Sequence, residues 1–114
     1  MIKLKIKELL HSLGITGKYK GYIFATIACE LVLEDETRLY HITYEVYSEI
    51  AKRYGCHEAS VERNIRTIIY KAWDLRRERF IEVAGIPLTE PPTVSDFIDY
   101  LATYIQRTEM ASMR

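Results

Sequence analysis

Cysteine is scarce in this chain: Cys29 and Cys56 are the only two among 114 residues, and no CxxC pair exists. A disulfide framework is thereby excluded. His11, His41 and His57 stand at no ligand spacing to either cysteine, so no metal site is expected. Long apolar runs are also missing, whereas a membrane-spanning helix needs ~20 such residues. The opening Met1-Ile-Lys-Leu-Lys-Ile-Lys7 alternates lysine with aliphatic residues and has no apolar signal core, so neither a secretory signal nor an anchor is read. A cytoplasmic address without a membrane partner is the expectation. Repeats, low-complexity tracts and sustained strand alternation are absent. So are a nucleophile–base pair, a glycine-rich phosphate loop and a carboxylate dyad, and neither enzymatic activity nor a cofactor is expected.

Net charge is zero, from 16 basic and 16 acidic residues. The total conceals blocks of alternating sign: +4 over residues 1–20, −5 over 30–49, +4 over 52–79 and −3 over 80–114. Attraction to a polyanion acts through local patches, because salt screens charge beyond ~8–10 Å. A neutral total therefore does not exclude a nucleic acid. The apolar share of 48% fills a core and the charged share of 28% covers a surface, as in ordinary globular domains.

Helical periodicity dominates. Residues 2–13 put Ile2, Ile6, Leu9, Leu10 and Leu13 on one face, with Gly14 as the stop. Residues 20–33 are apolar nearly all round and predict a central, buried helix. The acidic stretch 34–38 reads as a surface connection. A short helix is expected from Tyr44 to Tyr54, a longer one from Glu58 to Leu75 and another short one from Arg77 to Ala84. Pro87, Pro91 and Pro92 mark an irregular connection. Thr93 and Asp96 have capping-box spacing and open a last helix through Thr108, leaving 109–114 frayed. The expectation is one all-α domain over 1–114: a compact six-helix unit containing a helix-turn-helix.

The helix-turn-helix spans about 44–75. Ala51 suits a close approach of two helices, Gly55 a turn of positive φ, and Val61 the packing of the second helix on the first. Ile65 supplies the later apolar position that would ordinarily fall on Asn64. At about 100° per residue, Val61, Ile65, Ile68, Ile69 and Ala72 form a buried stripe. Ser60, Arg63, Arg66, Thr67 and Tyr70 fall opposite, flanked by Asn64 and Lys71, with Glu62 at the edge. This inventory suits a major groove: arginine offers two parallel donors to guanine O6/N7, and asparagine can bridge adenine N6/N7. Arg63, Arg66, Asn64, Thr67 and Ser60 are the candidate base contacts. Lys71, Lys52 and Lys20, with Lys18, are candidate phosphate contacts, which add affinity without sequence information. Cys29 and Trp73 read as core residues and Cys56 as part of the turn.

The segment VERNIRTIIYKAW, preceded by EIAKRYG, resembles the recognition-helix region of the C-terminal effector domain of the sporulation response regulator, stage-zero sporulation protein A. Leu13–Gly14, Lys20–Tyr22 and Pro92–Ile98 fall in matching order, so the resemblance covers roughly residues 5–106. It implies a six-helix domain of winged-helix-like, response-regulator effector class whose fourth helix enters the major groove of double-stranded DNA, with Arg63 and Arg66 reading bases. It further implies binding to short boxes, often in tandem, by two copies. Contact with RNA polymerase sigma factor is implied too, with Asp74–Ala84 similar in place to the activating surface. The family's phosphoacceptor receiver has no counterpart in this sequence; an isolated effector or a stand-alone relative with constitutive binding is the expectation. Cys56–Ser60 also differ from the family's threonine- and basic-rich approach to the recognition helix. The alternative reading is a protein-interaction module that binds sigma factor or a full-length relative without reading DNA.

Overall fold

A helix with apolar residues on every side must sit where every side is covered. In the computed structural model, which describes residues 1–112, that helix is α2 (Lys20–Glu34). Phe24, Ala25, Ile27, Ala28, Cys29, Leu31 and Val32 are all buried along it. Its one buried polar side chain, Thr26, donates its hydroxyl to the Tyr22 carbonyl at 2.8 Å, which removes the cost of an unpaired buried hydroxyl. Around α2 pack α1 (Ile2–Ser12), α3 (Ser48–Tyr54), α4 (Glu58–Leu75) and α6 (Val94–Ser112). The sixth helix, α5 (Arg77–Ala84), sits on α4 and α6. The fold is all-helical: no strand occurs among the described residues.

Helices α4, α5 and α6 meet in an aromatic stack. Phe80 stacks on Phe97 at 5.5 Å between ring centroids, the planes 27° apart, and meets Trp73 edge-on at 5.6 Å. Burying a side chain of this kind contributes roughly 1.5–3 kcal/mol. Arg79 ties the same corner to α1: its guanidinium donates to Ser12 Oγ at 3.0 Å and Tyr104 Oη at 3.2 Å, and it pairs with Glu82.

Four boundaries differ from the sequence reading. The α1 stripe begins at Ile6, because Ile2 stands partly exposed at the helix start. The stretch 34–38 does connect elements at the surface but is helical for most of its length: α2 runs through Glu34, and a 3-10 turn follows over Glu36–His41. Asp35 caps that turn, its carboxylate accepting from the Thr37 N–H at 3.0 Å and the Thr37 hydroxyl at 2.6 Å. The helix expected from Tyr44 is instead a π turn over Thr43–Tyr47 that leads directly into α3. The wider turn carries an extra residue, and Val46, Tyr47, Ile50 and Ala51 all reach the core. Finally, α6 continues past Thr108 to Ser112, where Glu109 forms an ion pair with Lys5 of α1. Of the residues expected to fray, 113 and 114 lie outside the described residues. The start of α6 is capped as its spacing predicts, the Asp96 N–H donating to Thr93 Oγ1 at 3.1 Å.

Candidate nucleic-acid interface

Helices α3 and α4 and the turn between them form the helix-turn-helix. Gly55 caps α3 with φ 63° and ψ 41°, a left-handed conformation that costs a residue with a Cβ about 1–2 kcal/mol. The turn is closed by the Cys56 N–H donating to the Ala51 carbonyl at 3.0 Å. Ala51, buried at the close approach, leaves room for α4. His57 is extended and precedes α4 without a side-chain cap.

The underside of α4 is the stripe its periodicity requires. Val61, Ile65, Ile68, Ile69 and Ala72 are fully buried, and Trp73 nearly so. Arg63, Arg66, Thr67, Tyr70 and Lys71 are exposed on the other side. The two arginines stand three residues apart, about 4.5 Å along the axis at 1.5 Å per residue. Among the described residues neither is buried by another part of the chain. They differ in partners. Arg63 has no ion-pair or hydrogen-bond partner for its guanidinium among the described residues. Arg66 Nη2 engages both carboxylate oxygens of Glu62, one turn earlier. Beneath that pair lies buried Tyr47, whose hydroxyl pKa is pushed up to about 12, first by burial and then by the Glu62 charge, with Arg66 opposing.

The remaining candidates divide. Thr67 is exposed, its hydroxyl donating to the Arg63 carbonyl at 3.0 Å. Asn64 is half-buried, and its amide turns back along α4 to donate to the Ser60 carbonyl at 2.8 Å. Ser60 is half-buried too, lining a cleft of about 290 Å³ with Lys20, Ile23, Phe24, Tyr54 and Cys56. Lys20, at the first turn of α2, is thus brought beside the start of α4. Lys52 is not: it lines a separate cleft with Glu34, Glu45 and Glu49.

Three participants were not singled out from the sequence. Glu62 was placed at the edge of the face but not as the partner of Arg66, although its spacing four residues earlier is the signal for such a pair. Pro91, Pro92 and Thr93 wall a cleft of about 320 Å³ against Glu62, Arg66 and Tyr70, and nothing local in the sequence places that segment there. Gly21 is buried against the backbone of α4 at Asn64; a glycine inside an otherwise apolar helix was its only signal.

Of the two thiols, Cys56 lines the cleft beside Ser60 and Cys29 lies away from this face. Cys29 is buried in α2, and burial, with Glu30 nearby, pushes its pKa up to about 12. Among the described residues no cluster of histidine, cysteine or acidic side chains could hold a metal ion, and no helix is long and apolar enough to cross a membrane. A family model described as sporulation initiation factor Spo0A C terminal matches residues 6–105.

Proposed function

The chain belongs to the Spo0A C-terminal family, that of the DNA-binding effector domain of a sporulation regulator, and from that premise we propose that it binds double-stranded DNA sequence-specifically through α4. The observation that carries this reading is the pair Arg63 and Arg66, uncovered on the outer face of a helix whose underside is sealed in the core. Each arginine offers a bidentate contact worth roughly 1–3 kcal/mol of discrimination at its base. Thr67 extends the face by a hydroxyl. Asn64 reaches a base only if its amide leaves the Ser60 carbonyl, and the Ser60 hydroxyl, half-buried, lies at the edge of the face. Lys20 and Lys71 contact phosphates along one flank of the reading face, near the start and the end of α4. Lys52, in a separate cleft away from this face, contributes little.

Selection from a random duplex library with the purified chain tests this. Recovery of one enriched box is expected, with affinity that falls steeply as salt rises. Arg63→Ala and Arg66→Ala each lower affinity for that box by roughly 1–3 kcal/mol. Failure to enrich any sequence, or unchanged affinity in the double variant, overturns the proposal. Two copies on tandem boxes are part of the same reading, and a second box then raises affinity for the first.

A second reading has its own observation. Leu75 stands 51% exposed at the corner between α4 and α5, beside exposed Asp74, Arg76, Arg77 and Glu78. This corner suits a protein partner such as RNA polymerase sigma factor. Arg79, Phe80 and Val83 of the same segment are committed to packing, so docking centres on 74–78. Capture of sigma factor after nuclease treatment, lost in Leu75→Asp, is the test.

A further inference from the structure

A glycine within a helix is less favourable than alanine by roughly 0.5–1 kcal/mol, and in a helix as buried as α2 an alanine would also remove more apolar surface from water. Gly21, second in α2, therefore needs a reason. A methyl group at its Cα would overlap the carbonyl oxygen of Asn64 and stand 2.9 Å from both that carbonyl's carbon and Ile68 Cγ2. The obstacle is chiefly backbone, which no rotamer change relieves. The first turn of α2 thus rests directly on the backbone of α4 at Asn64, with no side chain between. By contrast, an added methyl at Gly17 would meet only the Tyr22 ring, at 3.8 Å or beyond.

The position of this contact matters more than its tightness. Asn64 follows Arg63 directly and precedes Arg66 by two residues. Lys20, exposed, precedes Gly21 directly. One backbone contact therefore sets the spacing between a cation placed to hold a phosphate and the two guanidinium groups placed to read bases. Sites of this kind need their parts held within about 0.5 Å, and a displacement on the order of 1 Å, the scale that relief of such an overlap demands, exceeds that.

We infer that Gly21 is a positioning residue for DNA recognition, keeping the phosphate anchor Lys20 in register with Arg63 and Arg66. The inference rests on the reading of α4 as the base-reading helix. It separates discrimination from affinity. Loosening the contact leaves every charge in place, so binding to arbitrary duplex persists while preference for the correct box declines.

The test compares the selected box with a scrambled duplex of equal length and composition, at 10 °C, for wild type, Gly21→Ala and Ile105→Ala. The last is a destabilising control in α6, where Ile105 is buried beside α1. Gly21→Ala should cut the ratio of box to scrambled affinity at least tenfold while changing scrambled affinity less than twofold. Ile105→Ala should lower the melting temperature and leave the ratio intact. An unchanged ratio in Gly21→Ala, or an equal loss in both variants, overturns the inference. Wild type without preference for any box would instead remove the reading beneath it. If Gly21→Ala does not fold at 10 °C, Lys20→Met carries the test, because an anchor held in register with the arginines strengthens binding to the box more than to arbitrary duplex, whereas a cation out of register strengthens both alike. A fall in the ratio of threefold or more supports the register role, and equal losses from both duplexes overturn it.

Discussion

Replacing Glu62 with glutamine should tighten DNA binding while weakening the fold. In the free protein Glu62 holds Arg66, with side chains 30% and 45% exposed. An exposed pair four residues apart on a helix contributes about 0.3–0.5 kcal/mol. Arg66 gives this up whenever it turns to a base, so Glu62→Gln removes that cost from binding. It also removes a negative charge facing phosphates. At ~8 Å in water such a charge opposes binding by roughly 0.5 kcal/mol, about halved by 0.1 M salt. The two effects together come to about 0.5–0.8 kcal/mol, or about threefold in Kd. Stability moves the other way: loss of the pair lowers Tm by about 1–3 °C. Fluorescence anisotropy with the selected box, at two salt concentrations, and thermal unfolding followed by circular dichroism measure both. Binding equal to or weaker than wild type would refute the argument, and weaker binding would identify Glu62 as a base contact in its own right, accepting from cytosine N4.

Four further outcomes follow from the structure. Gly55→Ala should cost about 1–2 kcal/mol by denaturant unfolding through strain alone, since no atom lies within 4 Å of the added methyl. Thr93→Ala removes the cap of α6 and should cost about 0.5–2 kcal/mol in the same assay, with Asp96 amide exchange accelerating first. Cys29 and Tyr47 both titrate near 12 in the folded protein, above their ordinary values; above pH 9 the unfolded chain releases these protons more readily, so stability is full below about pH 9 and declines from there towards pH 12. In the native state a thiol reagent at pH 8 should accordingly label Cys56, which is only half-buried, and spare Cys29.

The helices most legible in the sequence were those whose burial follows one clear period. For α4 and α5 the expected bounds coincide with the observed ones, because Gly55, the α4 stripe and Gly85 punctuate them locally. The turns over Glu36–Tyr47 were not legible, since 3-10 and π turns leave no period and depend on how Val46 and Tyr47 reach a core assembled from distant segments. The outward placement of Arg63 and Arg66 followed from the wheel alone. What they touch did not: the grip of Glu62 depends on side-chain reach, and the Pro91–Thr93 wall on where α6 docks. Asn64 illustrates the limit, since helical angle put it at the rim of the face but not its amide's preference for Ser60. Sequence spacing shows which side a residue occupies, while neighbouring helices decide what that side is free to do.

The enclosure of α2 has a dynamic consequence. Because α1, α3, α4 and α6 all rest on it, no layer can peel away without opening α2 to water, and the chain should melt as one cooperative unit. Its central amides, around Ala25 to Cys29, should be the last to exchange with deuterium, at a rate that reports global unfolding. The surface that meets a partner is then borne on a stiff frame, able to adjust side chains but not to reorient helices on contact.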